Sequence, residues 1–158
     1  MTMQHTPPAP SEHDLAPGEW LDFVDLPAPA AGALSQTLVV RDRALRVLAA
    51  TATLTTDANA ANRLVSLDYL KQGGATYVRN FAGLVVTANT TALRFVWNSA
   101  WHVSEWATNT PVIIPVLSMQ VPPGIAIRFT VDNVQVGDTL TGLTLTVARL
   151  EADAGERG

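Results

Sequence analysis

Three indoles fall within ten residues in Trp97-Asn98-Ser99-Ala100-Trp101-His102-Val103-Ser104-Glu105-Trp106, the stretch of the chain with the most chemistry to offer. The CH face of a pyranose stacks on an indole while an amide and a carboxylate take its hydroxyls. Asn98 and Glu105 among the tryptophans would therefore suit a sugar-binding surface. Packing outweighs that reading. Trp97 is in phase with Leu93 and Phe95 on one strand face, and a long loop can fold Trp101 and Trp106 over the end of a domain or into a subunit contact, where Trp is enriched. The same segment holds His102, Glu105 and a nearby Ser99 or Ser104. A hydrolytic triad needs base, orienter and nucleophile fixed by different elements, and crowding in one loop does not supply that. His5 and His13 lie in a proline-studded tail that cannot preorganise them. No catalytic residue is assigned, and the chain is not expected to be an enzyme.

Asp57, Asn59 and Asn62 could bring oxygen ligands to a hard cation such as Ca²⁺. Their acidic count falls short of a Ca²⁺ loop, so turn chemistry, in which Asp and Asn bond their own backbone, is the stronger reading. The absence of Cys removes disulfide scaffolds, thiolate catalysis and Cys-based zinc sites together. No metal or cofactor is expected.

At 158 residues the chain has room for one domain that buries a core without staples. Charged residues make up 15% of it, against about 25% in ordinary soluble domains. Much of the surface must then be Thr, Asn, Ala and Val, which suits contact with other proteins. The net charge is −4 and the ten basic residues are scattered, so neither nucleic acid nor an anionic membrane is an expected partner. The N-terminus lacks the basic and apolar regions of a secretory signal, and the apolar runs are too short to span a bilayer. A soluble protein is expected.

The organisation is clearer than the chemistry. Residues 1–34 read as an extended Pro- and Ala-rich arm, 35–150 as a β-sandwich domain, and 151–158 as a frayed charged tail. Within the arm, a short helical turn after Pro17-Gly18 would bring Trp20, Phe23 and Val24 onto one face, an anchor that packs on its own sandwich or docks on a neighbour. From Ser35 onward, Thr- and Val-rich segments alternate with turns such as Gln72-Gly73-Gly74, Pro122-Pro123-Gly124 and Val136-Gly137-Asp138. Residues 75–88 read as one long bent strand or as two, with a bulge or kink expected at Gly83, and Pro115 suits an edge or a bend. About eight strands at spacings of about 10 to 15 residues predict an all-β, antiparallel Greek-key sandwich, jelly-roll-like, with an immunoglobulin-like sandwich second.

Three stretches carry a family resemblance: Leu54-Thr55-Thr56-Asp57-Ala58-Asn59-Ala60-Ala61-Asn62-Arg63-Leu64-Val65-Ser66-Leu67, Val121-Pro122-Pro123-Gly124-Ile125-Ala126-Ile127, and the closing run from Val136-Gly137-Asp138 to Val147. Residues 46–149 resemble small β-sandwich virion proteins of tailed bacteriophages, in which an Asn-Arg step and a late Gly-Asp turn recur. The resemblance implies a structural component of the virion, assembled in the host cytoplasm, such as a capsid decoration or cement protein. Its expected partners are the major capsid protein or another virion protein, together with further copies of itself, for instance as a trimer. Candidate partner-binding residues are Trp20, Phe23, Val24, Trp101 and Trp106. The alternative is a tail, fibre or carbohydrate-binding module that uses the loop from Trp97 to Trp106.

Overall fold

The computed structural model describes residues 15–98, 112–116 and 119–150. Among these residues there is no helix, and the strands form two sheets. The strands are β1 (Glu19–Leu26), β2 (Ser35–Val39), β3 (Leu45–Thr55), β4 (Arg63–Leu70), β5 (Thr76–Val86), β6 (Leu93–Asn98), β7 (Val112–Pro115), β8 (Gln120–Val121), β9 (Ala126–Asp132) and β10 (Thr139–Leu150). The first sheet runs β1-β10-β3-β6-β7, with β8 paired to the start of β3; the second runs β2-β9-β4-β5. The β-sandwich expected from the alternating segments is what the chain adopts.

Strand periodicity explains which residues face inward. In β10, Leu143, Leu145 and Val147 are buried while Thr144 and Thr146 are only partly covered. In β9, Ile127, Phe129 and Val131 face the same core from the other sheet. The alternating Leu93, Phe95 and Trp97 of β6 do the same: Phe95 and Trp97 are fully buried and Leu93 packs at the margin. Trp97 spans the two layers. Its ring lies beside Phe95 at 6.1 Å, meets the edge of Phe129 at 5.9 Å, and its Nε1 donates to the backbone carbonyl of Asn80 at 3.3 Å.

Gly83 has φ +69 inside β5, and the pairing with β4 shifts register between Leu64 and Ser66. That is the kink expected from a glycine in a strand interior. A second shift lies in β10 near Gly142, φ +61.

Three features depart from the expectations. Residues 19–26 form a full strand, paired with β10 from Glu19↔Leu150 to Leu26↔Leu143, rather than a helical turn in an arm. The stretch Trp20-Leu21-Asp22-Phe23-Val24 can be read at either period, and pairing with an open edge of β10 decides for the extended form. The sandwich therefore begins at Glu19, inside the stretch expected as arm. The described strands number ten rather than about eight, because β1, in the stretch expected as arm, and the two-residue β8 add to the first sheet. Lastly, β7 runs parallel to β6, with Phe95↔Val112 and Asn98↔Pro115. Pro115 does sit on an edge strand, where its missing N–H costs no ladder bond.

Candidate functional site

Arg63, the first residue of β4, is fully buried, and each of its five N–H donors has a partner. Nε donates to Asp138 Oδ2 at 2.9 Å, and Nη2 donates to Asp138 Oδ1 at 2.9 Å and to Asp57 Oδ1 at 2.8 Å. Nη1 donates to the carbonyls of Asn59 at 2.9 Å and Ala61 at 3.0 Å. The planar fork of Arg matches a carboxylate in two bonds, which a Lys could not reproduce. Around this cation the carboxylates are themselves saturated. Asp138 accepts from the backbone N–H groups of Asp57 and Gln135, and Asp57 from those of Asn59 and Gly137. Burial acts to raise both Asp57 and Asp138, and the hydrogen bonds outweigh it, leaving both below the ordinary carboxylate value. Gly137 is required by space: a Cβ there would stand 2.8 Å from Asp57.

The cluster ties together the β3–β4 loop, the β9–β10 turn and, through Gly32 N–H to the Asp138 carbonyl at 2.8 Å, the β1–β2 connection. It also decides the fate of the oxygen ligands Asp57, Asn59 and Asn62. The Asn59 side-chain amide donates to Asp57 Oδ2 at 2.6 Å, and the Asn62 carbonyl accepts from Asn133 at 2.9 Å. Arg63 occupies the place a cation would take, and no group of three metal-ligating acids or histidines occurs among the described residues.

A second polar cluster lies on the outer face of the second sheet. The register Arg128↔Asp68↔Arg79 lines up three charges across β9, β4 and β5. Asp68 is fully buried beneath the two arginines, with Arg79 Nε 3.2 Å from Oδ1 and Arg128 Nη2 3.3 Å from Oδ2. Thr130 Oγ donates to Oδ2 at 2.9 Å, and Arg79 reaches on to Asp132 at 3.1 Å while lying 5.3 Å from the Phe81 ring centre. Opposite charges on neighbouring strands balance one another and lock register.

The candidate partner-binding residues separate. Val24 packs against the core from β1, whereas Trp20 is 39% exposed and Phe23 is 67% exposed. Three residues apart on a strand, Trp20 and Phe23 lie on opposite faces and do not form one anchor. Phe23 stands on the outer face of the first sheet, opposite Thr146, beside a band of Thr144, Thr51, Ala49 and Val96. Thr51 and Thr144 share a hydroxyl hydrogen bond of 2.5 Å. Trp101 and Trp106, with His102, Glu105, Ser99 and Ser104, lie outside the described residues. Trp97, the first of the three indoles, is buried and cannot contribute to a sugar platform.

Neither ion cluster emerges from sequence reasoning, yet one signal was present. The Asn62-Arg63 step and the Gly137-Asp138 turn stand out as motifs, and in the fold they bond to each other. Comparison with family models, with curated proteins and with solved structures gave no match to this chain.

Proposed function

We propose that the chain is a structural virion protein of a tailed phage that decorates and stabilises the capsid through protein–protein contacts, acting as an oligomer. The observation that carries this reading is the outer face of the first sheet. Phe23, Thr146, Thr144, Thr51, Ala49 and Val96 make an uncharged band, flanked by Asp25 opposite Thr144 on one side and by Arg94 of β6 on the other. A flat surface of threonine hydroxyls and methyl groups, with one exposed aromatic ring, can be covered by another protein with little desolvation cost.

Strand order supports the jelly-roll reading. With β7 and β8 set aside, the remaining eight strands in chain order fall as 1-8-3-6 in one sheet and 2-7-4-5 in the other. The chain thus crosses between sheets in the manner of two interleaved Greek keys. The buried polar residues support a scaffold as well. Arg63 and Asp68 are each buried at the centre of an ion cluster, the first with Asp138 and Asp57 and the second with Arg79 and Arg128, and this arrangement offers stiffness to an assembly.

Copy number in purified virions tests the proposal. Decoration requires hundreds of copies per particle; a handful of copies would move the protein to the tail or fibre and favour the alternative role there. Sedimentation of the isolated chain with and without capsids is the second arm, and a monomer that ignores capsids would sink the idea.

A further inference from the structure

At the end of the sandwich away from Arg63, the β4–β5 hairpin and the β8–β9 turn enclose a cleft of about 240 Å³. Tyr69, Tyr77, Met119, Val121, Pro122 and Ile125 line it. Tyr77 is 61% exposed, and the Lys71 ammonium lies 5.8 Å from the centre of its ring. An open, apolar cleft with tyrosine and proline walls is the kind of groove that accepts a polyproline segment, whose preformed helix loses little entropy on binding.

The cleft's surroundings are basic. The β2–β3 turn carries Arg41, Asp42 and Arg43 and is held to the cleft wall by Val40 N–H to the Ile125 carbonyl and Gly124 N–H to the Val40 carbonyl, both at 2.9 Å. Among the described residues, Arg41, Arg43 and Lys71 have no ion-pair partner. Asp42 offsets one of these charges, leaving two in excess.

We propose that this cleft seats the segment Thr6-Pro7-Pro8-Ala9-Pro10 of the same chain, with the following Glu12 and Asp14 set against Lys71, Arg41 and Arg43. Geometry permits it. The register Trp20↔Arg149↔Leu45↔Val121 places the start of β1 three strand spacings from the cleft wall, about 14 Å. Five residues, from Pro10 to Leu15, span about 17 Å when extended. A tethered segment acts at an effective concentration in the millimolar range, so the chain's own tail outcompetes that of another copy in dilute solution. The proposal is independent of the virion reading, and its test needs no capsid.

Because the chain has no Cys, Ser11→Cys supplies a single thiol for a nitroxide label on the full-length protein. In ¹⁵N spectra, the amide signals of Gln72, Tyr77, Gln120 and Val121 should lose most of their intensity relative to the reduced label. Adding Pro7→Ser, Pro8→Ser and Pro10→Ser to the labelled chain should restore them. The idea is overturned if the cleft amides keep their intensity, or if they broaden equally in the proline-substituted chain. A mixture of labelled ¹⁴N chain and unlabelled ¹⁵N chain completes the test. Unchanged intensity there supports docking within one chain, and broadening would transfer the occupant to a neighbour and refute the assignment.

Discussion

Arg63 and Asp138 are separated by 75 residues in the chain and meet in two hydrogen bonds of 2.9 Å, both side chains wholly withdrawn from solvent. A buried ion pair contributes little net stability over an apolar pair of the same shape, because desolvating both charges offsets their attraction. Removing one member is a different matter, since the survivor stays charged and buried without its bidentate partner.

Asp138→Ala should accordingly destabilise the fold by about 3–5 kcal/mol, measured by urea unfolding. Arg63→Met in the Asp138→Ala background should recover part of that loss, because it removes a buried cation that has lost its bidentate partner and keeps only Asp57 and two carbonyls. Equal or greater loss in the double variant would contradict the account.

The same cluster sets the acid limit. Asp57 and Asp138 are held below the ordinary carboxylate value in the folded chain, so the unfolded chain binds protons first as pH falls. Their contribution is complete above the unfolded value and is lost as pH drops through the lowered folded values. Glu19, held down by its hydrogen bond from Arg46, adds in the same direction. The melting temperature should be flat with respect to these groups from pH 7 to about 5 and fall below about 4, with a shallower fall in Asp138→Asn.

Trp97 is the central brace between the sheets. Trp97→Ala should cost about 3–5 kcal/mol by chemical unfolding. Trp97→Phe keeps the packing with Phe95 and Phe129, gives up the bond to the Asn80 carbonyl, and should cost about half as much.

On the outer face, Phe23→Ser should leave stability within about 0.5 kcal/mol while weakening self-association or capsid binding in sedimentation. Deleting residues 1–34 is not a neutral truncation. It removes β1 with Val24 and Leu26, which pack against the core, and should lower stability by about 2–4 kcal/mol. Deleting residues 1–14 alone spares β1 and should cost far less.

How far the sequence reached is seen best in individual strands. Leu93, Phe95 and Trp97 alternate with Arg94, Val96 and Asn98, and that period is sufficient to place the larger apolar set inward without knowing any partner. Gly83 was readable for a similar reason, since a strand interior tolerates glycine mainly at a kink. Asp68 was not readable as an ion-cluster centre. Its partners Arg79 and Arg128 come from different strands, and only the register brings them together. Likewise, eight residues around Trp20 and Phe23 fit a helical turn or a strand, and the choice depends on an edge of β10 more than a hundred residues later. The parallel placement of β7 beside β6 follows from a crossover that local period does not encode.

The pairing of β1 with β10 has a consequence for biosynthesis. β1 is hydrogen-bonded along the sheet to β10, the last described strand, and among the described residues it has no second neighbour. As the chain leaves the ribosome, Glu19 to Leu26 emerge first and have no template until Thr139 to Leu150 follow. β3 waits for the same strand on one of its sides. Closing so long a loop delays folding, as in other topologies dominated by distant pairings. The sandwich therefore closes only once Thr139 to Leu150 have left the ribosome, and a nascent chain stalled before Thr139 exposes two unpaired strand edges to whatever chaperone or neighbour is at hand.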